Sequence, residues 1–422
     1  MLRIRQSFLR GFPSGVCRSG QRGEKARKTE SGLLIPRKAI TKKGGIYLDS
    51  VYSEIEKIRC EHFFSFSENL PDRHCVLCRE AGGGRTAYYF SVPIRNIQSN
   101  AIVDLKFHHH NQDSVFYGSN CKMIVSDKIR LMNEHGQCEI LIPGKPYKKT
   151  DHAIFFKDES GEAEIRPTLN GTILLFGRHL SKSHKTFTMR TNRPFESTRT
   201  NNRCFSIMRE KSVPFVTASC IGLADSHDKI CAPCEMFSQK AAENEYILHF
   251  GDDGLQNRIA VEINIQEQKL FQDTTVESLH PTANNAFGGT SFLGTSKMLG
   301  EQWLYSRLDM TKLASLQGKK IIKSILHIPQ LGSRPSPITI SKIAERFCSF
   351  GSNWENKIAV RDTLAWSSDS TGYYHLDLTK LFGNFRNKSE SFVIRSNDPA
   401  TSAMIPTGDS FYSPQILEVR YQ

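Results

Sequence analysis

The sequence predicts a mainly β protein built as tandem antiparallel β-sandwiches, with a basic, disordered N-terminal tail and one short helix. Three observations predict it. Short apolar runs recur from Thr86 onward, each bounded by Gly, Asn, Asp, Ser or Pro, which is the punctuation of strands and turns. Several of these runs alternate apolar and polar residues at period two, the spacing that buries one face of a strand. The chain has 422 residues with 26 Phe and 12 Tyr, enough large apolar side chains for two or three ordinary cores.

The tail comes first. Residues 1–43 hold 12 of the 56 Lys and Arg residues and only two of the 43 acids, leaving 44 basic against 41 acidic residues in a nearly neutral remainder. A like-charge run of this kind is expected to be a solvated leader. Its one partner reading is salt-sensitive, sequence-independent attraction to nucleic acid or another anionic surface. The opening MLRIRQSFLRGFPSGV is broken by Arg10, Gly11 and Pro13, so it lacks the continuous apolar run of about 7–15 residues that a secretory signal needs. No stretch of about 18 apolar residues occurs, so no helical membrane span is expected.

Residues 44–85 read as a short helix followed by a glycine-rich linker. The helix rests on Ile46, Leu48, Val51, Tyr52, Ile55 and Ile58, with Asp49 or Ser50 as its start signal. The linker ends in AGGGR at 81–85, where successive glycines leave the backbone unconstrained. Residues 86–270 then read as one or two β-sandwich domains, with any break near SKSHK at 181–185. CEILIPG and GTILLFG are nearly continuous apolar runs, as in strands covered on both faces. RIAVEINIQ alternates, with Ile259, Val261, Ile263 and Ile265 on one face and Glu262, Asn264 and Gln266 on the other.

Residues 271–422 carry a recognisable order of pieces. Asp273-Thr274-Thr275 opens a strand, followed by Phe287-Gly288, Phe292-Leu293-Gly294, Tyr305-Ser306-Arg307-Leu308-Asp309 and the strand Ile322–Ile328. A loop with Trp354, the strand Tyr374-His375-Leu376-Asp377-Leu378-Thr379 and a closing stretch from Pro414 to Tyr421 complete it. This order resembles the DNRLRE-type domain, a β-sandwich related to carbohydrate-binding modules and found on many bacterial surface, secreted and phage-like proteins. The family's usual second Trp near the first is displaced to Trp366 or missing in this chain, and the eponymous run is not spelled out. The resemblance implies a sandwich that binds polysaccharide or cell-surface glycan, or that serves surface attachment and assembly with other structural proteins. The residues themselves agree. Tyr374, Leu376 and Leu378 share one face, opposite His375 and Asp377, while Leu417, Val419 and Tyr421 alternate with Glu418 and Arg420.

Catalytic signatures are missing. The sequence has no nucleophile elbow, phosphate loop, dinucleotide fingerprint or HExxH. Eleven cysteines at irregular spacing do not make a disulfide framework and point to reduced thiols, hence a reducing compartment, although the resembled family is often surface-associated. Cys75 and Cys78 have metal-ligand spacing, and Cys60 and His74 (with His62 nearby) stand close enough in sequence to complete four zinc ligands. Structural thiols are the commoner meaning of a lone pair of this kind, and no cofactor is expected. Cys231 and Cys234 invite a redox reading that strands do not support, for want of a helix N-terminus to lower a thiol pKa. In His108-His109-His110 adjacent side chains point to opposite faces, so at most His108 and His110 share an ion. Asp252-Asp253-Gly254 reads as a hairpin turn.

The aromatic residues are the better lead. Trp303, Trp354, Trp366, Tyr373 and Tyr412 each present a flat ring of the kind that stacks on a sugar, with Trp354, Tyr373 and Trp366 the leading candidates. The reading is a non-enzymatic protein that binds polysaccharide through its last domain. The alternative is a carbohydrate-active hydrolase or lyase with paired acids in 86–270 and the C-terminal domain as an accessory.

Overall fold

A computed structural model describes residues 50–59, 64–67, 72–80, 84–159, 161–177, 186–251, 257–332, 336–370, 372–382, 391–398 and 402–422. All of these belong to one unit, Lys42–Gln422. The basic tail, Cys60, the glycines at 81–83, the 181–185 break and Asp252-Asp253 lie outside the described residues.

Among the described residues the fold is mainly β, arranged as four antiparallel sheets. Sheet I runs Met236–Ala242, Glu245–Phe250, Thr186–Thr191, Gly136–Leu141, Ile129–Asn133, Lys122–Val125, Asp113–Tyr117 and His108–His110. Sheet II runs Ser197–Thr200, Cys204–Glu210, Val213–Ala224, Arg258–Ile265, Gly171–Phe176, Gly161–Thr168, Ala153–Asp158 and Lys145–Thr150, with Ile230–Ala232 added beside Val213–Ala224. Their facing side chains, among them Phe116, Leu131 and Ile140 from sheet I and Ile165, Leu174 and Val261 from sheet II, fill the first core.

Sheet III runs Phe64–Ser67, Cys75–Glu80, Arg85–Phe90, Ile416–Tyr421, Ile321–Pro329, Tyr373–Asp377 and Ser368–Ser370. Sheet IV runs Val360–Trp366, Ile338–Ile343, Ser391–Ser396, Gly300–Leu308, Thr290–Ser296 and Ala403–Pro406, with Phe271–Glu277 also paired to Gly300–Leu308. Tyr89, Leu326, Leu376 and Leu417 from sheet III meet Leu304, Ile340 and Ile394 from sheet IV in the second core.

This arrangement corrects two boundaries. Cys75–Glu80 is a strand, not linker, and Arg85–Phe90 pairs along its whole length with Ile416–Tyr421. The first described strands therefore complete the second sandwich, which does not begin at residue 271. The correction has a local cause. Tyr88, Tyr89 and Phe90 are buried on both sides of their strand, and only an interior position in a sheet offers cover to both faces.

Sheet II is also covered twice. Ile173, Leu175, Ile221 and Ala260 point away from sheet I and pack on Phe292, Leu299, Leu331 and Tyr412 of the second sandwich. GTILLF is accordingly buried at every residue, as its continuous apolar run predicts. Cys138–Leu141 differs from that expectation, alternating between buried and half-buried positions, so its outer side is only partly covered among the described residues. Gly222, at φ 142°, sits where Val213–Ala224 shifts register against Arg258–Ile265. A Cβ there would stand 2.5 Å from the Ala232 carbonyl oxygen, so only glycine lets Ile230–Ala232 approach.

The helix spans Val51–Arg59. Ser50 caps it, accepting the Ser53 amide at 3.0 Å while its own amide donates to Ser53 Oγ at 3.1 Å. Val51 and Ile55 are buried in the same cluster as Val76, Cys78, Tyr88 and Phe90, which face away from the second core.

Candidate functional site

Three of the five aromatic candidates, Trp303, Trp354 and Trp366, gather around the outer face of sheet IV. Directly paired residues share a face, and Trp366 and Arg395 both pair with Thr339, while Trp303 pairs with Val276. The next row is Thr363, Ser341, Val393, Tyr305 and Thr274. Along Val360–Trp366 the alternation sends Ala365 into the core and leaves Trp366 outside, on an edge strand with Arg361, Asp362 and Thr363 exposed beside it.

Three aromatic residues on this face are engaged within the protein. Trp303 and Trp354 meet edge to face, with centroids 5.4 Å apart. Lys357 Nζ stands 3.6 Å from the Trp354 centroid and 5.0 Å from that of Trp303, and the Arg395 guanidinium lies 5.2 Å from Trp303. Such cation–π contacts are each worth about 0.5–1 kcal/mol at exposed sites. Trp303 Nε1 donates to Glu301 Oε1 at 2.8 Å, and the Tyr305 hydroxyl donates to the Ile358 carbonyl at 2.8 Å. Trp366 is different. It is 66% exposed, the most exposed of the large hydrophobic side chains described.

The other aromatic candidates fall elsewhere. Tyr373 is 4% exposed, and its hydroxyl donates to Glu54 Oε2 of the helix, so it offers no ring face to a ligand. Its polar sequence neighbours misplaced it, because the helix that covers it lies far away in sequence. Tyr412 is buried at the joint between the sandwiches.

The zinc expectation is corrected by strand geometry. Cys75 and Cys78 lie three apart on one strand, which sends them to opposite faces. Cys75 enters the second core and Cys78 the cluster that includes the helix. Burial pushes the Cys75 thiol well up. His74 is buried with Nδ1 3.0 Å from the Phe90 carbonyl, and burial lowers its pKa to about 4. It is therefore neutral and donates to that carbonyl. Among the described residues no three or more His, Cys, Asp or Glu side chains converge as a metal set. Cys231 is exposed and donates to the Leu223 carbonyl, while Cys234 is buried. His108, His109 and His110 are all exposed on an edge strand, with His109 Nδ1 2.9 Å from Ser114 Oγ.

A polar seam between the two sandwiches carries several buried ionisable groups with shifted pKa values, and sequence reading missed it. Glu262 is 1% exposed on the side of sheet II that meets the second sandwich. Its Oε1 accepts the amides of Phe411 and Tyr412 at 2.7 and 3.0 Å. Burial raises its pKa to about 8, against hydrogen bonds from Asn264 and those two amides that pull it down. Asp273 accepts the Gly408 amide and is likewise raised by burial, and Lys269, paired with Asp409, is lowered by burial. Nearby, Arg203 approaches Glu277 at 3.8 Å, and Gln302 Nε2 donates to Glu277 Oε2 at 2.6 Å. The signal in the sequence was the polar set Glu262 and Asn264, which period two places opposite the core but cannot show to be covered.

A groove of about 560 Å³ lies on the outer side of sheet II, lined among others by Phe155, Asp158, Glu162, Glu164 and Arg258. Glu164 is bridged by Arg166 at 2.5 Å and Arg258 at 2.5 Å, both of which also reach Asp228. Burial pushes Glu164 up, but the two guanidiniums outweigh it and the net shift is downward. That holds it ionised, the opposite of what a general acid needs.

No known protein family matches this chain, and no curated protein matches it either. No helix among the described residues is long and apolar enough to cross a membrane.

Proposed function

We propose that this protein is a non-catalytic glycan-binding protein, in which the outer face of sheet IV carries a polysaccharide or cell-surface glycan with Trp366 as the stacking platform. The observation that carries this reading is the 66% exposure of Trp366 on the outer face, with Thr363 exposed on the same strand and Arg395 half-buried in the same row. A flat indole offers an apolar plate to the C–H face of a pyranose, while the exposed Thr363 hydroxyl and the Arg395 guanidinium on the same face match ring hydroxyls. Of the leading stacking candidates, Trp366 remains, Trp354 supports the face from below Lys357, and Tyr373 belongs to the helix joint. The resemblance of the order of pieces to the DNRLRE-type domain points the same way, toward glycan binding, surface attachment or structural assembly. The experiment is a glycan array with the full chain and with W366A, expected to retain and to lose its glycan signal respectively.

The alternative, a carbohydrate-active enzyme, is best sought at the groove beside Glu162 and Glu164. Reducing-sugar release that disappears in E164Q would establish it in place of the binding reading.

A further inference from the structure

On the side of sheet III that faces away from the second core, His327 and His375 stand directly opposite each other on neighbouring strands. Their Nδ1 atoms are 2.6 Å apart, with the rings crossing at 81°. Two bare lone pairs, or two N–H groups, repel at this distance, so a single hydrogen lies between them, one Nδ1 donating and the other accepting.

The neighbours of His327 decide which of its nitrogens is bare. Glu418 Oε2 lies 3.0 Å from His327 Nε2, and Arg420 Nε donates to Glu418 Oε1 at 2.6 Å. Glu418 accepts from Arg420 and stands as the acceptor for His327 Nε2–H, and in the neutral tautomer of His327 this leaves the Nδ1 lone pair facing His375. A carboxylate holding the far nitrogen of an imidazole is the outer-shell arrangement that orients histidine ligands toward metals.

We propose that His327 and His375 form a two-imidazole seat for a borderline divalent cation such as Zn²⁺, Ni²⁺ or Cu²⁺, with Glu418 and Arg420 as its outer shell. Imidazole nitrogen suits these ions. At N–metal lengths of about 2.0–2.1 Å and a tetrahedral angle, two nitrogens stand about 3.3 Å apart. Opening the pair from 2.6 Å to that spacing needs a ring movement of less than about 1 Å. His327 is 2% exposed and His375 half-buried, so the ion enters from the His375 side. Water fills the remaining positions, and His375 changes tautomer as the ion binds, giving its Nδ1 hydrogen to solvent and taking one from solvent at Nε2, so that both imidazoles stay neutral.

Titration of the full chain with Zn²⁺ by calorimetry, compared with H327A, H375A and E418Q, tests this. One ion per chain is expected to bind at least tenfold more weakly in either histidine variant, and about 10–100-fold more weakly in E418Q. Equal affinity in parent and H375A, or no binding to the parent, overturns the proposal. A second readout guards against variants that fail to fold, namely the imidazole ¹⁵N shifts of the parent followed by NMR. Movement of both the His327 and His375 signals with one equivalent of Zn²⁺ supports the seat, and unmoved signals overturn it.

Discussion

Phe90 lies directly opposite Ile416 of the closing strand. The second sandwich is therefore stitched from both ends of the described chain, and this has a direct consequence for fragments. Residues 271–422 alone lack Cys75–Glu80 and Arg85–Phe90 and would expose an edge beside Leu417 and Val419. That fragment is expected to aggregate or to melt without cooperativity, whereas 44–422 melts as a folded protein. Circular dichroism and size-exclusion chromatography of the two check this, and a monomeric, cooperatively melting 271–422 would count against the stitched sandwich.

Glu262 sets a pH dependence. Its carboxyl binds a proton more tightly when folded, titrating near 8 against 4.5 for an ordinary glutamate. Between those values the folded state holds a proton that the unfolded chain has released, so stability falls as pH rises. The slope reaches about 1.4 kcal/mol per pH unit, and the raised Asp273 adds in the same direction. E262Q keeps an oxygen for the Phe411 and Tyr412 amides, so its urea midpoint is expected to stay flatter than the parent's between pH 5 and 8. Parallel midpoints in the two proteins would remove Glu262 as the cause.

Glu418 works with the opposite sign. Its folded pKa is held near 2 by His327 and Arg420 against the opposing effect of burial, so its contribution is present above the ordinary glutamate range and is lost as pH falls toward 2. E418Q should therefore lose stability near neutrality and converge on the parent at strongly acidic pH. Urea titrations at pH 7 and pH 3 measure the difference, and an unchanged gap would exclude the ion-paired state.

Tyr373 ties the helix to sheet III through Glu54. Y373F removes one buried hydrogen bond to a charged acceptor and is expected to cost about 1–3 kcal/mol in urea unfolding. It should leave glycan retention untouched, since the ring is enclosed. Loss of retention at full stability would return Tyr373 to the binding face.

Gly171 tests how tightly sheet II is packed. A Cβ at this position would lie 2.2 Å from the Ile263 carbonyl oxygen of the neighbouring strand. G171A is expected to destabilise by about 1–3 kcal/mol, read as a lower thermal midpoint, and an unchanged midpoint would contradict the packing.

Local alternation carried much of the fold. Tyr374, Leu376, Leu417 and Val419 point into the second core as their period predicts, and GTILLF is covered on both faces. Pairing between distant segments was not legible. Nothing near Arg85–Phe90 announces Ile416–Tyr421 as its partner, because register across more than three hundred residues is set by the assembled core and not by local pattern. The same limit explains Cys75 and Cys78. Their spacing suits zinc on a loop, and only knowledge that they occupy a strand separates them. The polar settings of Trp354 and Tyr373 in the sequence suggested exposed rings, but the cover over Tyr373 comes from a helix near the other end of the chain and Trp354 packs against Trp303 and Lys357.

The central claim rests on the ring of Trp366, and binding of the full chain to a glycan array measures it most directly. The account predicts that the parent retains at least one class of polysaccharide and that W366A, folded by circular dichroism, loses that signal by tenfold or more. Equal retention by W366A, or no retention by the parent on any glycan, would contradict it.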